Sequence, residues 1–274
     1  MMKTKAMTTS IGLLLLVLII TGCSSTKDYN IVRVIKVAPE DTFTIMYFDL
    51  ETLKGDPDCE QMYHDLRDSI ESQMEGLQFP DVDGYGLINV GNMPLTIEIG
   101  EYVAANMRGA LKEQGGIKDE YQGSEIWTSD MYRTTRAFAF IDNMVIFGDK
   151  NAVEASIRSY NNEPSLHDNE DLKIILDELP NGFFYIIINT ITKQHISRYG
   201  STIGCICMCN LIRGDEFLDI KGLLKFESEA DAETYSDRTK EIAEAFFFGT
   251  PLDIEVKLKG QYIEITGTSD IEDF

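Results

Sequence analysis

Four pairs of strand-like runs joined by tight turns constrain this chain more than any other feature. Residues 84–90 and 94–99 flank Gly91-Asn92, 136–141 and 144–147 flank Asp142-Asn143, 203–212 and 217–226 flank Arg213-Gly214-Asp215, and 252–258 and 261–266 flank Lys259-Gly260. Gly, Asn and Asp tolerate the positive φ that a hairpin turn needs. So short a link returns the chain only as an antiparallel neighbour, because a parallel pair needs a crossover of about a dozen residues or more. Residues 42–50 (TFTIMYFDL), 124–128 and 183–188 add strands rich in β-branched and aromatic residues. Apolar residues at helical spacing predict helices between them. One opens at Asp56-Pro57, a good cap followed by a residue suited to the first turn. Another spans residues 101–114 and ends at Gly115-Gly116. A third follows Asp149, with Ala152, Val153, Ser156, Ile157 and Tyr160 on one face. A fourth starts at Asp168 or Asn169, carries Leu172, Ile175, Leu176 and Leu179, and stops at Pro180. A fifth follows Ser228, which with Asp231 has the pattern of a capping box. The fold class expected is α+β: two similar halves, each an antiparallel sheet with helices packed on one face.

The expectation of two halves comes from the order of these elements. Ala38-Pro39 leads into the 42–50 strand as Leu179-Pro180 leads into the 183–188 strand. The strand–helix–strand–strand run over 95–147 parallels that over 217–266. The organisation expected is therefore 1–22 as a signal peptide, 23–37 as a modified Cys with its tether, 38–162 as the first half, and 163–274 as the second half with a loose acidic tail.

The N-terminus has three parts. Residues 1–10 carry Lys3 and Lys5 and no acid, residues 11–20 are an unbroken apolar run, and Ile20-Thr21-Gly22-Cys23 follows. So short a run falls well below the roughly 20 residues a spanning helix needs, and has the length of a signal-peptide core. The ending resembles the lipobox of bacterial lipoproteins. That resemblance implies diacylglyceryl attachment to the Cys23 thiol, cleavage before Cys23, and a mature protein held on a membrane facing outside the cytoplasm. An uncut N-terminal anchor or ordinary secretion is the simpler reading, but it leaves the order of small residues and Cys unexplained. Losing Lys3 and Lys5 takes the net charge from −22 to −24. Anionic lipid repels so acidic a body, so the lipid on Cys23 must do the holding, each buried methylene contributing roughly 0.8 kcal/mol.

Gly148, Asp149, Ala152 and Val153, then Ser165-Leu166, Asp168-Asn169 and Leu179-Pro180, form a second recognisable series. It is similar to a segment of an uncharacterised family of exported, duplicated α+β bacterial proteins. The resemblance covers residues 137 to about 190 and implies an extracytoplasmic location and the duplicated fold. It implies no activity. The same residues serve as caps, turns and core.

Chemistry-bearing residues are sparse. With 46 Asp+Glu against 24 Lys+Arg, nucleic acid is excluded as a partner, because phosphate binding needs clustered bases. No HExxH, GxSxG or P-loop spacing occurs, so no catalytic residue is assigned. Cys205, Cys207 and Cys209 alternate as they would along one strand face. Thiolates suit Cu(I) or Zn, with only Cys59 or His195 to complete a site, yet structural zinc sites prefer a CxxC turn, so core packing or a partial disulfide is the plainer use. No metal or cofactor is assigned. His64, His167 and His195 are too scattered to form a ligand pair. Ser201 lacks an identifiable base. Asp81-Val82-Asp83-Gly84 begins like a Ca²⁺ loop, but Asn92 stands where its closing Glu belongs. The acids at Asp56/Asp58/Glu60 and Asp168/Glu170/Asp171 fit helix starts, where they favour the dipole. Trp127 with Tyr121 and Tyr132 suits a core more than a sugar or peptide platform. Two classes of function remain. The first is a non-catalytic binding or interaction module for an unknown protein or small ligand, anchored to the membrane through Cys23. The second is an envelope metal-binding or redox protein using the Cys205–Cys209 strand.

Overall fold

The computed structural model describes residues 30–73, 82–91, 93–131, 134–189, 206–214, 217–246 and 253–270. Its first element corrects the expected tether. Asn30–Val37 is a helix, α1, with Ile31, Val34, Ile35 and Val37 buried. Their i, i+3, i+4 spacing puts them on one stripe, which packs on the sheet. The helix turns into strand β1 (Thr42–Asp49) through Ala38-Pro39, where the Thr42 N–H donates to the Pro39 carbonyl at 2.9 Å.

The turns behave as their residues require. Strands β2 (Gly84–Val90) and β3 (Met93–Ile99) pair from Val90 opposite Met93, around Gly91 at φ 60°. Strands β6 (Thr134–Ile141) and β7 (Met144–Gly148) pair from Ile141 opposite Met144, around Asp142 at φ 53°. A further hairpin, unread in the sequence, joins β4 (Ile117–Tyr121) to β5 (Ser124–Met131). Its turn, Gln122-Gly123, has positive φ at both positions. The remaining strands are β8 (Phe184–Ile188), β9 (Ile206–Arg213), β10 (Phe217–Lys225), β11 (Asp253–Lys259) and β12 (Tyr262–Asp270). β12 continues through Ser269, which is buried, so the acidic tail is strand at least to Asp270.

The twelve strands of the described residues join in one antiparallel sheet, ordered β11-β12-β10-β9-β8-β1-β2-β3-β7-β6-β5-β4. The order mirrors itself about the central β1–β8 pair, where Tyr47 lies opposite Tyr185. From that pair outward, β2 corresponds to β9, β3 to β10, β7 to β12 and β6 to β11. The α+β class and the antiparallel pairing stand, and the two halves share a single sheet.

The helices divide between the faces of this sheet. α1, α5 (Lys150–Asn161) and α6 (Glu170–Glu178) cover one face through Ile35, Val153, Ile157, Leu172 and Ile175. On the other lie α2 (Leu50–Lys54), α3 (Glu60–Gln73) and α7 (Glu229–Phe246), and separately α4 (Val103–Glu113). One-sided cover is insufficient because the inner strands are apolar on both sides. All five residues of β8 are buried, as are Phe138 and Ala139 side by side in β6. Caps follow the sequence: the Asp149 carboxylate accepts from Asn151 N–H at 2.9 Å, and Asn169 accepts from Asp171 and Leu172.

Candidate functional site

The sequence candidates disperse in space. Cys207 and Cys209 lie in β9, their backbones opposite Leu224 and Gly222. Their side chains, and Cys23, Cys205, His195, Ser201 and Asp81, lie outside the described residues. No group of three or more potential metal ligands occurs among the described residues. Cys59 is buried against the α2–α3–α7 core, and burial, then the charge of Asp56, pushes its thiol up, away from the reactive thiolate. His64 is half-exposed on α3, 3.8 Å from Glu60. Asp168 closes a capping box on Ser165, whose N–H donates to it at 2.9 Å. Asp56 and Asp58 grip Arg213 at the end of β9, with Arg213 Nε 2.8 Å from Asp56. That clamp ties the α2–α3 connection of the first half to a strand of the second. Trp127 packs in the core under α4, its indole N–H donating to Glu125 at 2.6 Å. These residues cap and pack.

Two features that the sequence did not single out carry more information. The first is Glu98 in β3, fully buried with neither carboxyl oxygen hydrogen-bonded among the described residues. Its strand neighbours are Tyr85 on β2 and Val145 on β7. Tyr85 belongs to the core under α2, α3 and α7, and Val145 to the core under α4. Glu98 therefore sits at the seam between two apolar clusters. With no charged partner among the described residues, burial pushes its carboxyl up to about 8. Burial, then the nearby Glu98, pushes the Tyr85 phenol up to about 12. Burial thus favours the protonated form of Glu98 at neutral pH. In Pro94-Leu95-Thr96-Ile97-Glu98-Ile99 it falls where a half-buried strand turns to solvent. Only the knowledge that β3 lies inside a sheet covered on both faces reverses that reading.

The second is an open groove. In the first half, α5 packs over β3, β6 and β7 and against α1. On the same face, the mirror-related β10, β11 and β12 have α6 at one side and no second helix among the described residues, while α7 packs on their opposite face. Between α6 and these strands lies a cavity of about 130 Å³ lined by Ile174, Glu178, Leu179, Leu223, Tyr262 and Glu264. Ile174 stays 45% exposed there, and Leu223 forms the floor. The space suits one large inserted side chain or a small molecule, gripped by apolar walls with Glu178 and the Lys259–Glu264 ion pair at the rim.

No family model matches the chain, and no curated protein matches it. Among solved structures, crystal form III of TP0453 aligns over 87% of this chain and 94% of that chain, with a TM-score of 0.47 and 11% identity. Crystal form I aligns over 87% and 93%, with a TM-score of 0.48 and 9% identity. At this distance the likeness carries neither function nor site.

Proposed function

We propose that the chain is a membrane-anchored extracytoplasmic lipoprotein, modified at Cys23, that acts as a non-catalytic binding module. The anchor rests on the apolar run and Ile20-Thr21-Gly22-Cys23. The binding role rests chiefly on one observation: the half-exposed Ile174 beside Leu223 and Tyr262, in the place that α5 covers in the first half. An apolar groove with a charged rim recognises a side chain or small ligand without needing a nucleophile or base. Co-purification from gently solubilised envelope tests the reading, with Ile174→Arg in parallel. A partner or ligand held by the native chain and lost from Ile174→Arg is expected. No partner or ligand with the native chain would contradict the binding role.

A further inference from the structure

We infer that strand β11 is a docking edge for a second copy of this chain: two copies join β11 to β11 antiparallel, about a two-fold axis through Val256. The strand order leaves two outer strands, β11 and β4, each with a neighbour on one side only among the described residues. Alternate N–H and C=O groups of such a strand point away from the sheet and can pair with an added strand. Side chains decide which edge accepts which partner.

In Asp253-Ile254-Glu255-Val256-Lys257-Leu258-Lys259, acids occupy the first half of β11 and bases the second. Reversed and laid beside itself with Val256 on the axis, the strand sets Asp253 against the partner's Lys259 and Glu255 against the partner's Lys257. Ile254 falls against the partner's Leu258. By symmetry each of these contacts occurs twice. Opposite charges directly across an antiparallel pair stabilise it, and like charges destabilise it. A slip of two residues one way places Glu255 against Glu255, and the other way Lys257 against Lys257. A slip of one residue sets charged side chains against apolar ones. Charge and pleat therefore select one register. The β4 edge lacks this complementarity. Reversing Ile117-Lys118-Asp119-Glu120-Tyr121 on itself puts Lys118, Asp119 or Glu120 on the axis, each facing its own kind.

The side chains are placed to make these contacts. Glu255 and Lys257 are 75% and 63% exposed, and their ion pair with each other is loose, at 4.0 Å. Lys259 reaches Glu264 of β12 at 2.9 Å and is still more than half exposed, so it can bridge Glu264 and the partner's Asp253. The charged residues of β11 share one face, and Ile254, Val256 and Leu258 share the other, where α7 packs. Ile254 is buried there and Val256 half-buried, while Leu258 is left 41% exposed. A two-fold axis perpendicular to the sheet keeps both α7 helices on that face. Each exposed Leu258 then gains an apolar neighbour across the new strand pair.

The inference rests on neither the lipid nor the groove, and its test avoids both. It uses the chain from residue 24 onward, which keeps every element of the fold described above. Two variants, Glu255→Lys and Lys257→Glu, change exposed sites outside the groove. Each alone turns two complementary contacts of the dimer into like-charge contacts. Mixed in equal amounts, the two variants restore opposite charges across the axis at both positions. Sedimentation equilibrium at up to about 1 mM reads the association, a range that includes weak interfaces. The native chain is expected to form dimers, and each variant alone to associate about tenfold or more less tightly. The mixture is expected to recover the native association as a mixed pair, identified by native mass spectrometry. Such recovery also shows that neither variant has misfolded. A native chain that stays monomeric throughout, dimers that the single variants leave unchanged, or a mixture that fails to recover would overturn the inference.

Discussion

Replacing Glu98 with Gln should change the pH dependence of stability more than stability itself. The folded-state carboxyl titrates near 8, against an ordinary 4.5. Above pH 4.5 the unfolded chain has lost a proton that the folded chain keeps. Stability therefore falls as pH rises from about 4.5 to about 8 and is unaffected by this group beyond it. At about 1.4 kcal/mol per pH unit, the ceiling on this loss is about 5 kcal/mol. Relaxation and water entry around the charge should bring the measured loss to about 2–3 kcal/mol. Glu98→Gln keeps the shape and removes the titration. Urea unfolding of the mature chain at about pH 5, 7 and 9 reads the difference directly through midpoints at constant slope. Near pH 5 the two proteins should match within about 1 kcal/mol, because both then bury a neutral polar group. Near pH 9 the variant should be the more stable by about 2–3 kcal/mol. A difference that stays constant across this range would refute the buried, unpartnered carboxyl. The other acids of this chain change both curves alike and cancel in the comparison.

Three further substitutions probe the packing and the groove. Ile35→Ala should cost about 2–4 kcal/mol in chemical denaturation, because Ile35 is fully buried; a solvated tether would show no change. Arg213→Ala should lower the thermal midpoint by releasing Asp56 and Asp58, and high salt should shrink that loss. Ile174→Arg should leave the unfolding midpoint within about 0.5 kcal/mol of the native value while removing whatever the groove holds, which separates a binding defect from a folding one.

Local chemistry made most of the strands and helices readable. Positive-φ turns at Gly91, Asp142 and Gly260 announced their hairpins, and Asp149 and Asn169 their helices. What could not be read depended on neighbours far along the chain. Residues 30–37 carry Ile31, Val34 and Ile35 opposite Asn30, Arg33 and Lys36, but so short a stretch spans only two turns, and it passed as a tether until the sheet beneath supplied a surface to bury its apolar side. The 117–121 strand is almost wholly exposed, so no alternation of apolar residues marks it, and only Gln122-Gly123 hinted at a turn. Joining the halves through β1 and β8 places apolar residues on both faces of the centre, which is why the helices split between two layers. Glu98 was missed for the same reason. Its position in an alternating strand is that of a solvated residue, and its burial follows from which strands flank β3.

The account depends most on the lipid at Cys23. Intact-mass and N-terminal peptide spectrometry of the protein from the membrane fraction tests it directly. The account predicts a mature chain starting at residue 23 with diacylglyceryl on its thiol, and loss of both processing and membrane attachment in Cys23→Ala. An unmodified thiol on a chain that still carries residues 1–22 would contradict it.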